Sequence, residues 1–332
     1  MDRIAIMGLG PISASIGLAL KQAELKTVEI VGFDRDRRAV SEAVKIGAVD
    51  EGTGVYRRAM EGAQLVIMDS PLAEAEETLG GIASLVEDGC VVTDVRATKS
   101  ASMKRAAEIL PSGTGFVGGH PLPKRRVGEI KDASPSLLTG TDYCVISPPS
   151  ADQGAVGTVV GMVEAIGANP FFLDPEEHDA FVAGVEDLPT VVSYALVNAT
   201  TGSASWRDMA RLASETFNAG STLASKDPKS TAADHLANKD ALVQWIDQVI
   251  AELYSYRNDL SKESEDLAAS FIRAWENRAK WKAGVVTEEK ELDVPSSKET
   301  FAGLFIGRRL WDRQRKILGA GKRDPWEYQD RR

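Results

Sequence analysis

The stretch that decides the fold is IAIMGLGPISASIGLALKQAEL, residues 4–25. A short apolar run, Ile4 to Met7, ends in a glycine-rich turn, and the turn passes directly into a segment whose Ile12, Ile16, Leu20 and Ala23 recur at helical spacing. The order is strand, glycine turn, helix. A second apolar run, VEIVGF, follows and ends in Asp34, 24 positions after Gly10. That is close to the ~20-residue offset at which an acid meets an adenosine ribose in dinucleotide-binding folds. Gly8 permits the tight turn, Gly10 lets backbone approach a pyrophosphate, and the helix start at Pro11, Ile12 and Ser13 offers N–H groups and the positive end of a dipole. Pro11 suits a first helical position because its missing N–H has no partner to lose there. Ser13 stands where the motif has its third glycine, small enough for close helix packing at some cost in fit. The Asp34 carboxylate accepts from a ribose 2'-hydroxyl and repels a 2'-phosphate, so it favours NAD over NADP. Arg35 beside it is open to two readings: a contact to adenine or phosphate, or a solvated helix start.

Working outward, further strands are expected at Leu65 to Met68, Val91 to Val95, Gly115 to Val117, Tyr143 to Ile146 and Phe171 to Leu173, alternating with helices. This is the pattern of an α/β, Rossmann-type doubly wound, mostly parallel sheet, whose ligands sit at the carboxyl ends of strands. Those ends carry Asp69-Ser70-Pro71, the segment Thr93 to Lys99 with Asp94 and Arg96, and Gly118 to Arg126 with His120, Lys124, Arg125 and Arg126. Ser70, Pro71 and Asp94 are therefore cofactor-site candidates. After Asp174 the pattern becomes helical, and Pro175 followed by acids is helix-start chemistry. Leu242, Ile246, Val249, Leu253, Tyr256 and Leu260, continued by Leu267 and Phe271, form one apolar stripe suited to packing on another helix, within the chain or across a dimer. The expected organisation is a nucleotide domain over 1–174, an all-helical domain over 175–290 and a partly helical tail over 291–332. The tail carries a local charge of +5 from Gly307 to Arg332, and reads either as an arm docked on a partner subunit or as a solvated end.

Composition bounds the function. With 332 residues, 43% hydrophobic and 27% charged, the chain has the make-up of an ordinary globular protein of about two domains. Its 39 basic against 49 acidic residues give a net charge of −10, which argues against nucleic acid as a general partner. Cys90 and Cys144 are the only cysteines, too few for a disulfide framework and without paired metal-ligand spacing, so no metal is expected and a reducing cytoplasm is. No charged-then-apolar leader and no run of ~18 apolar residues is read in the sequence, so neither secretion nor membrane spanning is expected.

Five segments in order, GLGPISASIGLAL, GFDRD, VVTDVRATKS, FVGGHP and DPEEHDAFVAGVEDLP, resemble the prephenate and arogenate dehydrogenase family over roughly residues 1–240. The resemblance implies a nucleotide-binding domain followed by a helical dimerisation domain, a homodimer, and NAD-dependent oxidative decarboxylation of prephenate or arogenate in tyrosine biosynthesis. It implies His120 as the catalytic base, a role that an unperturbed imidazole pKa near ~6.5 suits. His178 and His235 lie in helical contexts without a comparable motif and read as packing residues. The chain departs from the family pattern at Ala97, where a serine is usual, and at Arg96, in place of a glycine. Asp187 and Thr190 replace two histidines, and Thr222 aligns with a substrate arginine. Arg96, Lys124, Arg125 and Arg126 are then candidates for a rebuilt anion site, or form an exposed basic loop. Two other readings stay open: a dehydrogenase for a different anionic substrate, and a non-catalytic NAD-binding dimer.

Overall fold

The computed structural model of the protein describes residues 2–23, 28–70, 72–148 and 150–284. The described residues divide into two compact units, one of 2–96 and 103–174, the other of 97–102 and 175–284. The tail expected over 291–332 lies outside the described residues.

The first unit runs β1 (Asp2–Met7), α1 (Pro11–Gln22), β2 (Val28–Phe33), α2 (Arg37–Lys45), β3 (Glu51–Thr53), α3 (Tyr56–Met60), β4 (Ala63–Met68), α4 (Leu72–Ala83), β5 (Val91–Asp94), α5 (Ser100–Ile109), β6 (Gly115–Pro121), β7 (Asp142–Ile146), α6 (Gln153–Ala165) and β8 (Asn169–Leu173). The strands form one sheet in the order β3-β2-β1-β4-β5-β6-β7-β8. The order reverses direction at β1, and the crevice beside such a switch point is where ligands bind. Alternate residues of each central strand face different cores. Ile4, Ile6, Leu65 and Ile67 join one cluster, while Ala5, Met7, Val66 and Met68 join the other. A strand buried on both faces has to read as a continuous apolar run, which is why Ile4–Met7 and Leu65–Met68 carry no polar alternation.

Strands β1 to β6 are mutually parallel, β7 runs antiparallel to β6, and β8 is parallel to β7. The reversal follows from the connection between β6 and β7. It holds only the one-turn 3-10 helix Ile130–Asp132 and no crossover helix, so the chain returns alongside the strand it has just left. α6 supplies the crossover that restores parallel pairing for β8. The sequence reading missed β3, a three-residue edge strand, and stopped β6 at Val117, whereas the strand continues through His120 to Pro121. Both cysteines are buried and outside any disulfide, and burial pushes Cys90 up to about 12.

The second unit is helical: α7 (Pro175–Val182), a π-helical turn (Ala183–Asp187), α8 (Leu188–Thr201), α9 (Trp206–Met209), α10 (Glu215–Ser221), α11 (Pro228–Ala237), α12 (Lys239–Lys262) and α13 (Asp266–Lys282). The π turn sits immediately before Pro189, whose missing N–H interrupts the regular hydrogen-bond ladder. The apolar stripe does not continue as expected. α12 ends at Lys262, Glu263 takes a left-handed conformation with φ of +52°, and Leu267 and Phe271 belong to a separate helix, α13. Phe271 instead meets Tyr256 edge-on, with ring centroids 5.4 Å apart.

The continuous stretch Pro175–Thr201 is long and apolar enough by length and composition alone to cross a membrane, with mean hydropathy 1.4, although Glu186 and Asp187 interrupt it and it holds no unbroken run of ~18 apolar residues. The charges inside it explain its use here. Asp179 accepts the N–H groups of Lys99 and Ser100, both at 2.8 Å, and Asp187 accepts Asn238 Nδ2 at 3.2 Å. The stretch is thereby tied by polar bonds to the other segments of its own unit.

Candidate functional site

The nucleotide turn is assembled by the first glycine, the helix start and three strand ends. Gly8 has φ of +93°, and a Cβ there would stand 2.4 Å from the Asp69 carbonyl oxygen, so only glycine fits. Ser13 does more than replace a glycine. Its hydroxyl donates to the Gly8 carbonyl at 2.9 Å and accepts the Gly10 N–H at 3.0 Å, closing the turn with its own bonds. The glycine that allows close helix packing comes one helical turn later, at Gly17, where a Cβ would lie 2.2 Å from the Ala48 carbonyl oxygen. Pro11 and Ile12 occupy the first two helical positions, and α1 has no acidic residue in its first turn and no side-chain cap. This helix N-terminus, with the backbone laid bare by glycine, fits a phosphate-bearing dinucleotide.

Asp34 sits at the end of β2 with one oxygen accepting Leu9 N–H and the other Asp36 N–H, each at 2.8 Å. The acid is thus fixed over the turn. Arg35 is drawn away by an ion pair with Glu77 and a hydrogen bond to the Tyr56 hydroxyl, and Tyr56 stacks on Phe33 at 4.1 Å between centroids. Ser70 is buried and shares a 3.1 Å hydroxyl bond with Thr78, while Pro71 lies outside the described residues. Asp94, 2% exposed at the end of β5, accepts the Gly119 N–H at 3.2 Å. That bond locks the β5 end to the strand carrying His120. The imidazole, 6% exposed, is the next-to-last residue of β6 and pairs across the ladder with Cys144 of β7.

Two residues central to this arrangement escaped the sequence reading. Asp69, quoted only as part of a strand end, places Oδ2 2.7 Å from where a Gly10 Cβ would stand and accepts the Ser13 N–H at 3.3 Å. Tyr143, fully buried on β7, brings its hydroxyl to Gly119, and that hydroxyl has no hydrogen-bond partner among the described residues. An acid at the end of an apolar run was the one signal for Asp69, and nothing in the sequence set it beside Gly10, 59 positions away. Tyr143 gave none, because an aromatic residue is ordinary strand composition.

The basic candidates separate. Arg96 donates from Nη1 to the Ser70 carbonyl at 2.9 Å, which ties it to the β4 end. Lys124, Arg125 and Arg126 are exposed, and Arg125 donates to the Asp132 carbonyl at 2.7 Å, turned onto its own loop. The structure therefore gives Arg96, and not the 124–126 cluster, a fixed place beside the cofactor-site strands.

In the second unit, the replaced family positions satisfy themselves locally. Thr190 donates to the Glu186 carbonyl at 3.0 Å and Thr222 to the Asn218 carbonyl at 2.6 Å, both one helical turn back. Burial pushes the Asp187 carboxyl up, opposed by His235, whose Nε2 lies 3.7 Å away, and by Asn238. His178 is buried with Nδ1 3.1 Å from Asp179 Oδ1. Burial pushes Asp179 up as well, but His178 and the N–H groups of Ser100 and Lys99 together hold it below the usual carboxylate range.

Strand, glycine turn, helix and a fixed acid at the next strand end define a dinucleotide-binding unit of the dehydrogenase class, here followed by a helical domain. The chain belongs to the prephenate and arogenate dehydrogenase family: residues 16–171 match the model of the prephenate dehydrogenase nucleotide-binding domain and residues 174–274 that of its dimerization domain. It is 28% identical over 292 residues to prephenate dehydrogenase of Bacillus subtilis (strain 168), covering 87% of this chain and 77% of that one. It is 25% identical to cyclohexadienyl dehydrogenase of Zymomonas mobilis, covering 79% and 90%. Among solved structures, prephenate dehydrogenase from A. aeolicus in complex with hydroxyphenyl propionate and NAD+ superposes with a TM-score of 0.79 at 23% identity, covering 84% of this chain and 98% of that one. Synechocystis arogenate dehydrogenase gives 0.70 at 23% identity, covering 85% and 100%. These two likenesses speak to the fold.

Proposed function

We propose that the protein catalyses the NAD-dependent oxidative decarboxylation of prephenate or arogenate, with His120 as the base. The observation that carries the reading is the seating of His120 at the carboxyl edge of the sheet, tied through the Gly119 N–H to Asp94, on the edge where Asp34 and the glycine turn lie. Gly8, Gly10, Pro11, Ile12, Ser13 and Asp34 would hold the dinucleotide, which supplies the hydride acceptor when bound. His120 removes the proton of the ring hydroxyl as hydride departs from the same carbon. Loss of the carboxylate on the opposite ring carbon as carbon dioxide then returns that bond's electron pair to the ring, aromatises it and makes the step downhill. A neutral imidazole has a ring nitrogen that can accept that proton.

Asp34 supports NAD over NADP, because both its oxygens are already oriented by backbone donors and a 2'-phosphate would meet their charge. The proposed domain division is 1–174 for the nucleotide and 175–290 for the helical domain. Trp245, Leu253, Leu260 and Trp275 are exposed large apolar residues of α12 and α13, which supports a homodimer formed through that domain. A cytoplasmic location is proposed with it, because neither cysteine is in a disulfide.

A specific observation favours a second reading, a different anionic substrate. Thr190 and Thr222 are turned into their own helices, while Arg96 is fixed at the strand edge. The experiment that separates the readings follows NADH formation by purified protein with prephenate, arogenate and a panel of related carboxylates. Turnover on either of the first two supports the proposal. Turnover confined to another acid replaces its substrate, and NAD binding without turnover on any acid replaces it with the non-catalytic dimer.

A further inference from the structure

The second glycine of a dinucleotide turn leaves its side-chain position empty so that phosphate can approach. In this protein a carboxylate stands against that position. The Asp69 carboxylate, at the end of β4, puts Oδ2 2.7 Å from the site of a Gly10 Cβ and receives the Ser13 N–H, one of the first-turn donors of α1, at 3.3 Å. Its carbonyl oxygen lies against Gly8 on the other side of the turn, so the backbone that carries the carboxylate is held close to the turn.

We propose that Asp69 couples the binding of the dinucleotide to protons: the phosphates enter the turn with uptake of one proton from solvent by this carboxylate, which then faces them as a neutral acid. The inference rests on the NAD assignment above and deepens it. Two anions cannot share one helix N-terminus at full charge, and protonation removes the conflict while supplying a donor.

The surroundings agree. The groups that face Asp69 are the Ser13 hydroxyl and N–H from α1, Arg96 after β5, Asp34 at the end of β2 and the Tyr143 phenol from β7. Crowding by protein is the largest influence and pushes the carboxyl up, Ser13 and Arg96 pull it back, and Asp34 pushes it up again, leaving it at about 6 before any phosphate arrives. A second negative group would raise it further. The charged form then prevails in the free protein at neutral pH and the neutral form in the complex, which is the condition for proton uptake.

The test is NAD affinity measured by calorimetry from pH 6.5 to 7.5, with proton uptake read from buffers of different ionisation enthalpy. Full linkage gives a Kd that rises about fivefold to tenfold over that unit, with uptake approaching one proton at the upper end. In Asp69→Asn the Kd should be flat within about twofold and, at pH 7.5, about tenfold tighter than in the native protein. Asp69→Ser is the second variant should the amide fail to fold, and the uptake measurement on the unaltered protein needs no variant. A flat native Kd without proton uptake overturns the inference and leaves the cofactor assignment standing, as does a variant that keeps the native slope. Absence of NAD binding at every pH overturns both.

Discussion

Gly17 and Gly80 permit the same substitution with opposite outcomes. Both lie within helices of the first unit, α1 and α4. A Gly80 Cβ would meet nothing within 4 Å. Gly80→Ala should therefore return the ordinary helix-propensity gain of about 0.8–1 kcal/mol. At Gly17 the same methyl would stand 2.2 Å from the Ala48 carbonyl oxygen, 3.1 Å from its carbon and 3.4 Å from Ile6 Cδ1. Ordinary carbon-to-oxygen contacts begin at about 3.3 Å, so α1 and the Ala48 loop must part by about 1 Å. The obstacle is backbone within a close-packed core, which places the cost near the upper end of the overpacking range, about 3 kcal/mol. Subtracting the propensity gain leaves Gly17→Ala destabilised by about 2 kcal/mol, or roughly 4–8 °C in Tm for a unit of this size. Gly80→Ala should rise by roughly 2–4 °C. Thermal and urea unfolding of both variants, followed by circular dichroism, measures the difference. A Gly17→Ala protein as stable as the native one, or two variants that shift in the same direction, would refute the claim that helix-to-loop contact at Gly17 closes the nucleotide unit.

Two further outcomes follow from buried polar groups. Tyr143→Phe removes a fully buried hydroxyl with no partner among the described residues, and should raise stability by about 1 kcal/mol in urea unfolding of the ligand-free protein; a loss would show that the hydroxyl is bonded. Asp179→Ala takes the acceptor from the Lys99 and Ser100 N–H groups and should cost about 1–3 kcal/mol. Because the folded state holds the Asp179 carboxyl below its usual range, its contribution is present above about pH 4 and is lost as pH falls through the folded value, so the gap between native and variant should narrow in acid.

The nucleotide turn was legible because its physics is local. Glycines, a helix period and an acid at a fixed offset all fall within 31 residues, Ile4 to Asp34. That His120 follows an apolar run at the carboxyl edge of the sheet was legible, although the strand itself extends through it to Pro121. What could not be read depends on contacts between distant segments. The Ala48 carbonyl that demands glycine at 17 comes from beyond α2, and the carboxylate beneath Gly10 is 59 positions away. Charge alone put Arg96 and the 124–126 cluster on equal terms, and only the hydrogen bonds of Arg96 to Ser70 and of Arg125 to Asp132 tell them apart. The apolar stripe beyond Leu260 misled because a period says nothing about where one helix ends; a left-handed Glu263, an unfavourable conformation for a non-glycine residue, gave no sequence warning.

The central claim, a dinucleotide-dependent dehydrogenase whose base is His120, is tested most directly by His120→Asn, measured for both NADH formation and NAD affinity. Turnover on prephenate or arogenate should fall by about 10²-fold or more while the Kd for NAD stays within about twofold. A variant that turns over at the native rate would contradict it.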